Sequence, residues 1–184
     1  MKIIGITGTF GAGKGTIVEH LVSLGFKHYS ASGFITEEIV RRGLSVDRDS
    51  MIAVANGLRA QHSPSYIIEE LYKRASQDGG DAVIESIRTI GEAEALKEKG
   101  NFCLFAVDAD RKIRYERISK RASDKDNVTF EKFCEKEDLE MNSTDPTKQN
   151  ISACIVLANY TFDNNGTREE LFNQVDEVLA KLIV

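Results

Sequence analysis

A glycine-rich loop directly behind an apolar run constrains this chain more than any other feature. Residues 8–16 read Gly8-Thr9-Phe10-Gly11-Ala12-Gly13-Lys14-Gly15-Thr16, after Ile3-Ile4-Gly5-Ile6-Thr7 and before the helix-like run Ile17-Val18-Glu19-His20-Leu21-Val22. Strand, glycine loop and helix in this order are the context that a phosphate-binding loop requires. Glycines reach dihedrals closed to other residues, so successive backbone N–H groups turn inward and cradle an anion. The following helix presents its free N–H groups and partial positive charge to the same point. Lys14 adds a full charge for the outer phosphates. Every residue from Gly8 to Thr16 is therefore a candidate for nucleotide binding. The residue after the lysine is Gly15, not Ser or Thr, so the hydroxyl that ordinarily touches Mg²⁺ is absent there. Thr16, one step on, is the hydroxyl that remains for the metal.

The balance of the chain narrows the partners. A net charge of −5 over 184 residues, with a pI near 5.3, argues against a nucleic-acid groove. Local arginines matter more than net charge for a small nucleotide. Cys103, Cys134 and Cys154 lack metal spacing and an even count, which points to reduced thiols and a cytoplasmic protein. Met1-Lys2 followed by only five largely apolar residues reads as no signal peptide, and no stretch has the length of a membrane span. The expectation is one domain over residues 1–184.

Apolar runs predict strands over 2–7, 26–29, 82–85, 102–107 and 160–163. Between them the patterns predict helices over 14–24, from Ser32 (as N-cap) into the Ile35, Ile39, Val40 stripe, and over 49–59. Others are expected from Ser63-Pro64 onward and over 91–99, 112–121, 129–141, 151–158 and 167–182. This alternation implies an α/β fold, a five-stranded parallel sheet with helices on both faces. Ligands then bind at the carboxyl ends of the strands, where the loop, Ser30, Glu85, Asp108 and Asn164 all fall. The segment of about 122–150 is too polar for a core and reads as a lid. The segment of about 30–65 flanks the place of an acceptor.

Glu85-Ser86-Ile87-Arg88 follows the third strand. An acid there holds Mg²⁺ through water, and Arg88 grips an acceptor phosphate in a fork; the competing reading of Glu85 is an ion pair with a neighbouring cation. Arg117 and Arg121 are four apart and share a helix face, suited to closing over a transferring phosphoryl group. The competing reading of Arg114, Arg117 and Arg121 is a solvated helix face with Glu116 as partner, and Arg114 reads that way. Ser32, Arg41 and Arg59 are candidates for acceptor binding, balanced against a helix cap for Ser32 and a dipole partner for Arg41. His20, His28 and His62 lack partner acids at useful spacing and read as surface or packing residues. Asp110 reads as an N-cap.

Four stretches resemble a known group: GTFGAGKGT (8–16), IESIR (84–88), VDADRKIRYERISKR (107–121) and ANYTFDNNGTREEL (158–171). They resemble the P-loop small-molecule kinases, which hold adenylate kinase, other nucleoside monophosphate kinases and dephospho-CoA kinase, together with adenylate-kinase-related proteins. The resemblance implies a P-loop NTPase-type three-layer sandwich with a helical lid. The GKGT form is usual in the adenylate kinase branch, and IESIR resembles its DGFPR stretch, with Glu85 for the aspartate and Arg88 for the arginine. The last two stretches look most like dephospho-CoA kinase. In that family a turn like Asn164-Asn165-Gly166 lies beside the adenine, which makes Asn165 and Gly166 candidates for nucleotide binding, and the arginines matching Arg117 and Arg121 belong to the lid side. Dephospho-CoA kinases also carry an aspartate after strand two, thought to activate the acceptor hydroxyl. Here that segment is Ser30-Ala31-Ser32, without an acid. A phosphate acceptor is already an anion and needs no base. The reading is therefore an ATP- and Mg²⁺-dependent nucleotide kinase whose partner is a small nucleotide acceptor, a (deoxy)nucleoside monophosphate, rather than nucleic acid or membrane. Lys14, Arg88, Arg117 and Arg121 are its catalytic candidates and Glu85 and Thr16 its metal candidates. The alternatives are dephospho-CoA kinase and an ATP-binding regulatory module with slow hydrolysis.

Overall fold

A computed structural model describes residues 1–121, 129–146 and 148–182. Strand β1 (Ile3–Gly8) is buried at every position. It lies at the centre of a parallel sheet with β2 (Lys27–Ser30), β3 (Ala82–Glu85), β4 (Phe102–Asp108) and β5 (Tyr160–Asp163), in the order β2-β3-β1-β4-β5. Side chains of successive strand residues point to opposite faces, and the two cores divide accordingly. Ile4, Ile6, Val83, Phe105 and Phe162 pack with Ile17 and Leu21 of α1 (Lys14–Ser23) and Leu171 and Val175 of α9 (Arg168–Leu182). On the other face Ile3, Ile84 and Leu104 pack with α2 (Ala31–Arg41), α3 (Arg48–Gln61), α4 (Tyr66–Asp78) and α5 (Ile90–Lys97). The result is the three-layer α/β sandwich.

Chain crossings leave neighbouring β1 and β3 in opposite directions, to β2 and to β4, so a crevice opens at their carboxyl ends. The register Ile6↔Glu85, Gly8↔Val107 and Asp108↔Asp163 delivers the loop, Glu85 and Asp108 to that crevice. Helices α6 (Arg111–Arg121), α7 (Phe130–Met141) and α8 (Ile151–Val156) lie between β4 and β5 in the chain. Among the described residues, no helix is long and apolar enough to cross a membrane.

Two local expectations change. The N-cap of α2 is Ser30, whose Oγ accepts from Gly33 N at 3.1 Å, so Ser32 is freed of the capping role. The polar segment is not wholly excluded from packing. Phe133 and Glu137 of α7 are buried, and the Phe133 ring lies 5.7 Å from that of Tyr115 on α6. Two aromatics among many charges suffice to dock one helix face. Residues 122–128 of the expected lid lie outside the described residues.

Candidate functional site

The loop between β1 and α1 is shaped by contacts from outside it. Gly8 (φ +134°) runs so close to β4 that a Cβ would strike Val107 O. Gly13 (φ +104°) meets Asn164 in the same way: a Cβ would strike its Nδ2, which donates to Ala12 O at 2.7 Å. Thr9 Oγ1 donates to Asp108 Oδ1. Arg114 Nη1 donates to Phe10 O at 3.2 Å. Lys14 Nζ donates to Gly8 O at 2.9 Å and Thr9 O at 2.8 Å. Burial first, and then the charge of Arg88, lower the Lys14 ammonium to about 7, with Glu85 and Glu140 pulling against them. The charges of Lys14 and Arg88, on separate elements, are thus near enough to repel, and an anion between them would relieve that repulsion.

Beside the loop lies a cleft of about 390 Å³. Ile35, Met51, Ile52 and Ala55 give it apolar walls, while Ser32, Asn56, Arg88, Glu140 and Gln149 bring polar groups to it. Such a lining suits a small ligand with an apolar body and a few fixed polar points. Arg88 Nη1 donates to Gln149 Oε1 at 2.9 Å, which holds the fork at the rim. Ser86 (φ +69°) takes a left-handed conformation at the strand end, a strain often found at functional sites. Glu85 Oε1 accepts from Ser30 Oγ at 2.8 Å and lies 3.4 Å from His28 Nε2. Burial would raise the Glu85 carboxyl, but the His28 and Ser30 contacts and the charges of His28 and Lys14 outweigh it and hold it below its ordinary value.

The other expected acceptor residues separate. Arg59 borders the cleft, yet its guanidinium is buried on Glu92, Nε at 3.0 Å and Nη2 at 2.8 Å. Arg41 is not brought to the cleft. Its side chain is 73% exposed and paired with Glu38 at 2.6 Å on the outer surface of α2. Two of the three histidines do have acids: His28 has Glu85, and His20 Nε2 lies 2.6 Å from Asp176 Oδ1, whereas His62 stacks on Tyr66 as a packing residue. Sequence spacing cannot show either pair, because both form across elements.

On the lid side Arg117 is half-buried, and among the described residues its enclosed Nη1 has no hydrogen-bond partner. Arg121 ends α6, and its side chain lies outside the described residues. Arg114 is not solvated: it is buried, donates to Ala109 O at 2.7 Å and pairs with Glu137 of α7. A second cleft, about 460 Å³, opens at the ends of β4 and β5 among Asp108, Arg111, Phe162 and Asn165. Asn165 Oδ1 accepts from Asp110 N at 2.7 Å there. Gly166 instead borders α9, and a Cβ on it would strike Glu170.

Among the described residues, no cluster of three His, Cys, Asp or Glu holds a metal by itself. The donors present, the ionised Glu85 and the Thr16 hydroxyl, fit Mg²⁺, which takes one or two protein oxygens and completes its shell with water and phosphate.

Sequence reasoning passed over Asn56, Glu140 and Gln149 in the cleft, and the contacts of Arg114 and Asn164 to the loop. Asn164 sits at a strand end, which was the available signal; the others carry no local pattern.

Known proteins agree with this architecture. A UPF0200 protein of Thermococcus kodakarensis is 28% identical over 190 residues, covering 98% of this chain and 100% of its own. The crystal structure of TT1252 from Thermus thermophilus superposes with TM-score 0.63 at 22% identity, over 98% of this chain and 97% of that one. Shikimate kinase from Bacteroides thetaiotaomicron gives 0.59 at 12% identity over 97% and 98%. Dephospho-CoA kinase from Campylobacter jejuni gives 0.52 at 14% over 98% and 97%. The fold is that of P-loop kinases. The AAA_18 model, an AAA domain, matches residues 4–142, and the chain belongs to that family.

Proposed function

We propose that this protein is a cytoplasmic phosphotransferase that moves the γ-phosphate of ATP to a small nucleotide, a (deoxy)nucleoside monophosphate. The observation that carries this reading is the closeness of Lys14, held in the glycine loop, to Arg88, which lines the cleft beside that loop: burial and the Arg88 charge hold the ammonium near 7. A donor phosphate and an acceptor phosphate meeting between them would offset the repulsion of the two cations. Backbone N–H groups of the loop and Lys14 hold the donor's outer phosphates. Asn165, in the second cleft, borders the donor base. The acceptor base lies against Ile35, Met51 and Ile52, with Ser32 and Asn56 at its edge, and Arg88 takes its phosphate. The enclosed Nη1 of Arg117 supports a role in stabilising the transferring group, together with Arg121. Mg²⁺, held by Glu85 and Thr16, would neutralise charge on the phosphates. The helix α7 side excludes water, which would otherwise compete as acceptor.

One observation favours a second reading. Glu140 brings a carboxylate into the acceptor cleft, and an alcohol acceptor benefits from a base. That supports an alcohol-phosphorylating enzyme such as dephospho-CoA kinase. Release of ADP from Mg-ATP, followed in a coupled assay with AMP, CMP, UMP, GMP, their deoxy forms, dTMP and dephospho-CoA, separates the readings. Stimulation by one monophosphate is expected. Stimulation by dephospho-CoA alone supports the second reading, and slow release indifferent to every acceptor would sink both in favour of an ATP-binding regulatory module.

A further inference from the structure

Two side chains outside the glycine motif fix the direction of its peptides. Arg114, on α6, donates from Nη1 to Phe10 O at 3.2 Å. Asn164, just past β5, donates from Nδ2 to Ala12 O at 2.7 Å. In a trans peptide the carbonyl and the following N–H point in opposite directions. Anchoring Phe10 O outward therefore aims Gly11 N–H inward, and anchoring Ala12 O outward does the same for Gly13 N–H. The two alternate N–H groups that remain are those an anion in the loop needs.

Both anchors are built, not incidental. Arg114 and Asn164 are 4% and 6% exposed. Asn164 packs so closely on Gly13 that only glycine fits below it. Arg114 is held in turn by Ala109 O at 2.7 Å and by both carboxylate oxygens of Glu137. Glu137 belongs to α7, whose Phe133 ring also lies 6.3 Å from the Phe10 ring. The same guanidinium thus joins the loop to the helix that covers it.

We infer that Arg114 and Asn164 are positioning residues that preorganise the Gly11 and Gly13 N–H groups as the cradle for the donor's β-phosphate, with Glu137 tying that cradle to α7. This rests on the loop being the donor site. Neither residue touches the nucleotide; each acts through a peptide plane. Their loss costs affinity only for ligands that bring a phosphate to those N–H groups.

The test is calorimetric titration of the full chain with adenosine, AMP, ADP and ATP, for the wild type and for Asn164→Asp and Arg114→Lys, with melting temperatures alongside. Asn164→Asp keeps the shape and removes the donor. Arg114→Lys keeps the charge but cannot hold Phe10 O, Ala109 O and two Glu137 oxygens together. The expected result is a loss of roughly ten- to hundredfold in ADP and ATP affinity, with adenosine and AMP unchanged. Wild-type affinity for ADP and ATP in either variant overturns the inference, as does an equal loss for all four ligands with a lowered melting temperature. A wild type that binds ATP no better than adenosine overturns the donor reading itself, and the inference with it.

Discussion

Arg59 and Glu92 form an ion pair beneath the cleft that Arg88 lines, Nη2 to Oε1 at 2.8 Å, with side chains 3% and 0% exposed. Glu92 also accepts from Arg88 N at 2.8 Å and from Thr89 N at 3.2 Å, closing the capping box of α5. One buried carboxylate thus fixes the segment from which Arg88 projects. Glu92→Ala leaves a buried guanidinium without its counter-charge, and removal of one partner of such a pair costs about 3–5 kcal/mol. Denaturant unfolding measures it. Replacing both residues with apolar ones of similar volume, Arg59→Met with Glu92→Leu, recovers most of that loss, although the cap of α5 stays broken.

Lys14 sets a pH dependence of known sign. Its ammonium titrates near 7 in the folded protein, against an ordinary 10.5. Between those values the unfolded chain binds a proton that the folded chain does not, so this group's contribution to stability rises with pH across the window. Binding of Mg-ATP runs the other way. The phosphates need the ammonium, so affinity falls with pH above about 7, up to about tenfold per unit. Isothermal titration from pH 6 to 9 measures this slope, and Lys14→Met flattens it.

Neighbouring glycines respond oppositely to alanine. Gly13 is left-handed and abuts Asn164, so Gly13→Ala strains the backbone by about 1–3 kcal/mol and displaces the Asn164 amide. Gly15 lies within α1, and a Cβ there meets no atom within 4 Å. Gly15→Ala therefore stabilises the ligand-free protein by up to about 1 kcal/mol. Thermal unfolding of the two variants distinguishes the positions.

Under the proposed function Arg88 acts on the acceptor, not the donor. Arg88→Lys keeps the charge and loses the planar fork held by Gln149. The KM for the acceptor rises roughly tenfold or more, the KM for ATP stays near its wild-type value, and steady-state kinetics with each substrate varied separates the two.

What could be read from the sequence was local. The strand, loop and first helix are contiguous, and each apolar run is short, so β1, the glycine loop and the five-stranded parallel sheet followed from pattern alone. The place of Arg88 at the cleft was legible because it lies three residues beyond a strand end. Arg114 was not. Its partners Phe10 and Glu137 are 104 and 23 residues away, and its charge resembles that of its exposed neighbours. Arg59 was assigned to the acceptor because nothing local reveals Glu92, 33 residues on. Arg41 shares a helix turn with Glu38, and that short-range pair accounts for its place on the surface. Charged residues declare a function only once their counter-charges are known.

Transfer of labelled phosphate tests the central claim most directly. Wild-type protein and Lys14→Ala are incubated with γ-labelled ATP, Mg²⁺ and each nucleoside monophosphate, and the products are separated. The account predicts label in one diphosphate product from the wild type and none from a folded Lys14→Ala. Label appearing only as inorganic phosphate at the same rate with every acceptor, or undiminished transfer by Lys14→Ala, would contradict it.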